Sequence, residues 1–311
     1  MEPPETPDPE EPLPLGEPAP GVPGLATPHD SALGFPLNRA NATLGDIIST
    51  AAEAWRRDVG TWALATILVF LIGFGVPFVL GLVIGVLKSL LEAGEANRAA
   101  VATMSGLEAG VQVLQTIVNG VLGMGFWAMA IRGLQGEPAP IAALFGQIRK
   151  AFKYVLQILA IWIPLAVFFG GIAIIIMLVS VGGIDFDMPL EEAIYQVAPS
   201  LWWFAIIGTP IYLYVFLGII FAQQELTYND SAGPIEAILI SWRIVRGRRW
   251  LILGTAIVSG LIALSSMLLC GVGFLFGGPL ASLIITSLYL ALRDGADVPV
   301  ADTRSTLGSR A

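Results

Sequence analysis

The chain has 311 residues, of which 55% are hydrophobic and 13% charged, with a formal net charge of −8. Soluble domains carry about twice that charged share, and a mean hydropathy of +0.77 leaves too little polar surface to cover a water-soluble core. The composition excludes an ordinary soluble protein and predicts several membrane spans, while a single cysteine, Cys270, and a single histidine, His29, exclude a disulfide framework and a Cys/His zinc site.

Residues 1–40 read as a disordered, proline-rich, acidic tail. The first 38 positions hold eleven of the 21 prolines and seven acidic residues, and neither Lys nor Arg. Such a segment buries too little apolar surface to offset its ordering entropy. Its prolines favour extended conformations, and it lacks the basic and apolar regions of a signal peptide. It reads either as a solvating tail or as a docking arm for a protein partner whose groove takes proline-rich peptides. The tail supplies −7 of the net charge, so residues 39–311 are nearly neutral.

Six charge-free apolar windows follow: Trp62–Leu87, Val111–Ile131, Tyr154–Val181, Leu201–Ala222, Trp250–Leu269 and about Phe274–Leu292. Each has the roughly 20 residues that a bilayer core asks of a helix. The last two are separated only by Cys270–Gly273, so they form a tight hairpin or one bent element. Pro77, Pro164 and Pro210 lie inside the first, third and fourth windows and predict kinks.

Fourteen of the 16 basic residues fall on one side of this arrangement. By the positive-inside rule that side is cytoplasmic, which places both termini there. The opposite side holds Lys88, Arg98 and the acidic stretch Gly182–Ser200. Trp202 and Trp203 on the outer side, and Trp62, Tyr154 and Trp250 on the inner, fit interfacial aromatic belts or simple packing.

The cytoplasmic stretches resemble one another. Leu44, Ile47, Ile48, Ala51 and Trp55 share their spacing with Ile141, Leu144, Phe145, Ile148 and Phe152. Ile235, Ile238, Leu239 and Trp242 repeat the first four positions. Each set makes an apolar stripe on a helix. The expected fold is therefore all-α: a polytopic domain over 41–295, with three repeats of an interfacial amphipathic helix and a two-span hairpin, then a short cytoplasmic tail at 296–311. Thr43 and Asp46 are placed to cap the first such helix, and Pro140 and Pro234 to open the next two. Basic residues beside the stripes are candidate contacts to anionic phospholipid headgroups: Arg56, Arg57, Arg149, Lys150, Lys153, Arg243, Arg246, Arg248 and Arg249. The other reading is that the stripes pack on the spans and the charges only set topology.

Phe221-Ala-Gln-Gln-Glu-Leu-Thr-Tyr-Asn-Asp230, Gly233-Pro-Ile-Glu-Ala237, Ser241-Trp-Arg243, Arg249-Trp250 and Cys270-Gly-Val-Gly273 with Pro279 carry a resemblance. The chain resembles bacterial multi-pass proteins related to the membrane domain of glycerophosphoryl diester phosphodiesterases. The likeness covers about 215–293 and, more weakly, 42–75. It implies a six-helix domain in the bacterial cytoplasmic membrane and no known activity. The phosphodiesterase chemistry of the namesake enzymes resides in a separate catalytic domain, which needs histidine and clustered carboxylates, so no catalytic residue is carried over.

The spans contain no ionisable residue to mark a proton or ion path. Gln112, Gln115 and Asn119 lie on one face of the second span and read as a polar lining for a solute path or as interhelical hydrogen bonding. Gln223, Gln224 and Glu225 close the fourth span, within expected reach of Arg243 or Arg246. Gly81-x-x-x-Gly85 and Gly273-x-x-x-Gly277 are weak close-packing signals in a glycine-rich chain. No nucleotide loop, metal cluster or nucleophile–base pair is visible. The expectation is a non-enzymatic, cofactor-free protein without nucleic-acid partners, serving membrane organisation, lipid or envelope homeostasis, or scaffolding. A transporter or channel for a small apolar or zwitterionic solute is the alternative, and a membrane-embedded lipid enzyme is a third.

Overall fold

Thr43 starts the first helix as the sequence predicts: its hydroxyl accepts from the Asp46 amide at 3.3 Å and donates to the Asp46 carboxylate. In the computed structural model, which describes residues 35–93, 98–180, 206, 208–268 and 272–303, the protein is all-helical with no strand among those residues. Helix α1 spans Leu44–Arg57 and stops at Asp58, whose side chain caps α2, Val59–Phe70. A π-turn, Leu71–Gly75, leads into α3, Val76–Ala93. The cause is Pro77, which has no N–H to give the Gly73 carbonyl four residues back. The widened turn leaves that carbonyl to Gln115, whose side-chain amide donates to it at 3.5 Å.

Helix α4, Arg98–Leu134, returns the chain. A broken stretch follows, with one turn α5 at Ala143–Gly146, a 3-10 turn at Ile148–Lys150, and then α6, Ala151–Ser180. Residues 208–219 form α7. After a break at 220–221 come α8, Ala222–Tyr228, and α9, Pro234–Val245. Helices α10, Arg249–Leu268, and α11, Phe274–Arg293, complete the chain as two separate helices packed on each other.

Among the described residues, five helical stretches are long and apolar enough to cross a membrane: Val59–Leu90, Thr103–Leu134, Ala143–Ile172, Arg249–Leu268 and Phe274–Arg293. Helix α7 covers part of the fourth predicted window, and Ala222 belongs instead to α8. The tail to residue 34, the acidic stretch Gly182–Ser200, Trp202, Trp203, Cys270, Arg304 and Arg310 lie outside the described residues.

Helix α11 is the centre. It packs against α1, α2, α4, α9 and α10, and 67% of its span is buried against 6% of the span containing α6. Small residues make this possible: a Cβ on Gly277 would overlap the Ser266 hydroxyl of α10, and Ala281, Thr286 and Ser287 are buried. Large apolar residues such as Phe78, Val167, Leu264 and Leu268 face outward. Among the described residues, nothing lies within 4 Å of a Cβ built on Gly81 or Gly85.

The three apolar stripes behave differently from one another. Helix α1 buries Ile47, Ala51 and Ala54 against the bundle. The second stripe does not form one amphipathic helix; only its Leu144 is buried, while Phe145, Ile148 and Phe152 are exposed. Helix α9 buries Ala237, Ile240, Ser241 and Ile244 and exposes Ile235 and Leu239 from the predicted stripe.

Both ends of the described chain meet at one end of the bundle, called here the basic end. Phe35 is buried in the core, although it falls within the expected tail. The Arg39 amide donates to the Asp294 carbonyl at 3.0 Å, and the Asp230 amide to that of Asp302 at 2.6 Å.

Candidate functional site

The basic end is built around an ion pair that joins α8 to α11. Glu225 is fully buried and receives the Arg293 guanidinium at 2.8 and 3.0 Å. Tyr289, one turn earlier on α11, donates its hydroxyl to the same carboxylate at 2.6 Å. Asn229 donates to the other oxygen at 3.1 Å. Arg293 also donates to the Pro299 carbonyl at 3.1 Å, holding the C-terminal segment down. The partner of Glu225 is thus Arg293, not the expected Arg243 or Arg246. A charge buried in this way is tolerated because every oxygen of the carboxylate has a donor.

Several candidate lipid contacts are occupied by the fold. Lys150 is buried; its ammonium donates to the Leu226 and Thr227 carbonyls at 3.0 and 2.7 Å and pairs with Asp230 at 2.7 Å. Lys153 donates to the Asp230 and Ala232 carbonyls at 2.9 and 3.1 Å. Arg248 donates to the Arg39 carbonyl at 2.7 Å. The Arg249 guanidinium lies 3.5 Å from the Tyr214 ring centroid and 5.2 Å from that of Trp242. Lys150 thus satisfies carbonyls at the C-terminal end of α8, where the helix dipole favours a cation, while Lys153 and Arg248 hold connecting-segment carbonyls and Arg249 lies on ring faces. Arg39 donates to the Ile244 carbonyl, at 2.7 Å, and to those of Arg246 and Leu292. Burial, with Arg248 nearby, holds its guanidinium below the usual value.

The remaining candidates face out. Arg56, Arg57, Arg149, Arg243 and Arg246 are exposed. Arg57 makes a loose 3.9 Å pair with Glu53. Arg149, Arg243 and Arg246 form no ion pair among the described residues. Interleaved with these three in the sequence are exposed apolar side chains: Phe145, Ile148 and Phe152 around Arg149, and Ile235, Leu239 and Trp250 around Arg243 and Arg246. Trp62, read as a belt or a packing residue, is buried and donates its indole N–H to the Ala54 carbonyl at 3.4 Å.

Midway along the bundle lies a cavity of about 660 Å³ between α2, the π-turn, α4, α6, α8, α10 and α11. Phe70, Phe74, Phe126, Trp127 and Phe274 give it an aromatic wall. Asn119, Thr116, Tyr154 and Gln223 supply polar groups. A second cavity of about 440 Å³ between α6 and α7 shares Thr116, Tyr154 and Gln223 with the first. Of the predicted polar lining, Asn119 lines the first of these two cavities. Gln115 serves Gly73, and Gln112 is exposed.

Tyr154 and Gln223 went unassigned to this site in the sequence because they belong to other helices. A readable signal was nevertheless present in the glycines of α4. A Cβ on Gly120 would strike the Tyr154 ring at 1.9 Å, and one on Gly125 would strike the Leu144 backbone at 2.0 Å. Gly123 faces the Gln223 amide at 3.6 Å. Two absent side chains, at Gly120 and Gly125, therefore admit two neighbouring elements. Among the described residues, no cluster of three or more His, Cys, Asp or Glu side chains could hold a metal ion. No family model, curated protein or solved structure matches the chain.

Proposed function

We propose that the protein is a non-enzymatic integral membrane protein that organises lipid around itself by gripping one leaflet at its basic end. The observation that carries this reading is that Arg149, Arg243 and Arg246 are exposed and interleaved along the chain with the exposed apolar residues Phe145, Ile148, Phe152, Ile235, Leu239 and Trp250, which we read as one collar. Apolar side chains at this level enter the acyl–headgroup boundary, and unpaired cations meet phosphates, each worth about 1 kcal/mol near an anionic surface. The collar does not need long amphipathic helices lying on lipid. Short segments pinned by Lys150, Lys153 and Arg39 present the same chemistry from a rigid frame.

The same proposal includes six crossings, with both termini cytoplasmic in a bacterial inner membrane. Support comes from parity. Residues 39 and 294 meet at one end, as do Lys150 and the 226–230 segment. A chain that leaves Lys150 through α6 and is back at the same end by Leu226 supports two crossings on this reading, with α7 part of the second. The excess of Lys and Arg at this end gives the cytoplasmic assignment.

Extraction into polymer-bounded lipid discs tests the reading. Discs holding the protein are expected to be enriched in anionic phospholipid relative to the host membrane. A variant with Arg149, Arg243 and Arg246 all changed to Gln is expected to lose the enrichment. Discs of host composition for the unaltered protein would refute it.

A further inference from the structure

We infer that the two mid-bundle cavities together bind an uncharged, two-chain ester lipid, the chemistry of a diacylglycerol, with an ester carbonyl on Tyr154 and one chain in each cavity. The cavities measure about 660 and 440 Å³, both within the roughly 300–1,000 Å³ usual for small-ligand sites. Among the described residues, no Asp, Glu, Lys, Arg or His lines either one. A charged headgroup drawn into them would shed its hydration and find no countercharge, so anionic lipids are disfavoured.

The cavities meet at Thr116, Tyr154 and Gln223, which line both. Away from this partition the walls are mostly apolar, with Phe70, Phe74 and Phe274 in the larger cavity and Ile161, Trp162 and Phe216 in the smaller. A single-chain ligand fills one chamber and leaves the other. Two chains joined at one polar link match two chambers joined at one polar partition. Thr116 is exposed, as are Phe70 and Phe74 beside the larger cavity and Trp162 beside the smaller. All four lie within stretches long and apolar enough to cross a membrane, so both chambers open toward acyl chains rather than water.

Tyr154 decides which polar link fits. It is half-buried, and its hydroxyl makes no hydrogen bond among the described residues. The missing side chain of Gly120 lets the end of the ring lie against α4, since a Cβ there would strike both ring and hydroxyl. The hydroxyl keeps accessible surface, unlike the Asn119 side-chain oxygen, which is sealed against Gly73. Thr116 already gives its hydroxyl to the Gln112 carbonyl at 2.9 Å, and Gln223 gives one amide hydrogen to the Gly120 carbonyl at 3.3 Å. The phenol hydrogen, and the second amide hydrogen of Gln223, are left for a ligand. An ester carbonyl accepts them and brings no hydrogen of its own to place, which satisfies a phenol that water does not reach from the bilayer.

The test is photolabelling of the full chain in phosphatidylcholine discs with a diacylglycerol carrying a diazirine midway along each chain, read by peptide mass mapping. Labels are expected in two groups, on segments containing Phe70, Phe74 and Phe274 and on segments containing Trp162 and Phe216. Unlabelled diacylglycerol should compete, the matching dialkylglycerol diether at about tenfold lower potency, and phosphatidic acid poorly. The glycerol hydroxyl is common to diester and diether, so the comparison isolates the carbonyl. Tyr154→Phe keeps the ring against Gly120 and should bring the two competitors to equal potency. A preference for the diester that survives Tyr154→Phe would overturn the proposal. Labels confined to one cavity, or spread over the outer faces of α6 and α10 without enrichment, would also overturn it. So would equal competition by diester and diether on the unaltered protein, a comparison that needs no variant and decides the matter even where a substitution prevents folding.

Discussion

Arg293, in the last turn of the central helix, closes a two-point grip on Glu225, 68 positions earlier in the chain, with both side chains buried. The grip ties the most buried helix to α8, and through Pro299 it holds the C-terminal segment across the basic end. Its environment makes it an all-or-nothing element. Either half alone is an uncompensated charge away from water.

Removing one partner is therefore expected to be severe and removing both much less so. Glu225→Leu or Arg293→Met should each cost about 3–5 kcal/mol, and the double variant substantially less than the sum. Thermal unfolding in detergent, followed by near-UV dichroism across the double-mutant cycle, measures this. Additive losses would mean that the pair is not coupled.

The cleft glycines of α4 should be far less tolerant than glycines on open faces. Gly120→Ala would drive a methyl into the Tyr154 ring, whereas a Cβ on Gly85 meets nothing within 4 Å. Gly120→Ala is expected to lower the melting temperature, with overpacking costing about 1–3 kcal/mol. Gly85→Ala should be neutral or slightly stabilising through helix propensity. Parallel melting curves of the two variants check the contrast.

Arg39 fastens the entry of the chain to the ends of α9 and α11, through the Ile244, Arg246 and Leu292 carbonyls. Arg39→Ala should loosen both terminal segments together. Loss of about 1.5 kcal/mol of hydrogen bonding corresponds to roughly tenfold faster amide exchange. Exchange mass spectrometry should show the change in peptides covering 40–47 and 292–303, with the centre of α11 unchanged.

Topology is open to thiol labelling in a Cys270→Ser background. A cysteine at Asp187 is expected to react with a membrane-impermeant maleimide from the outside of intact cells, and one at Arg246 only after permeabilisation. The reverse pattern would invert the proposed orientation.

The helical, membrane-spanning character was legible because long runs without charge have few other solutions. Thr43, Asp46, Pro77 and Pro234 were legible too, since capping and ring closure act within one turn. The faces were not. On α9 the predicted stripe included Ile235 and Leu239, which are exposed, while Ala237, Ile240 and Ser241 are buried. In water an apolar stripe marks the core; in lipid, large apolar residues gain nothing by leaving the acyl chains, and small or polar residues mark the packed side. The cations were misread for a related reason. Sign alone does not separate Lys150, spent on helix-end carbonyls, from its neighbour Arg149, which is exposed. Of the predicted polar lining, Asn119 lines the mid-bundle cavity, and the polar residues Tyr154 and Gln223 that line it too come from helices that only the tertiary fold brings near.

The measurement that bears most directly on the collar is tryptophan quenching in reconstituted vesicles by brominated phosphatidylglycerol against brominated phosphatidylcholine. The relative association constant for the anionic lipid should exceed one for the unaltered protein. It should fall to about one when Arg149, Arg243 and Arg246 are all replaced by Gln. Equal constants for the two lipids in the unaltered protein, or a preference untouched by the triple substitution, would contradict the account.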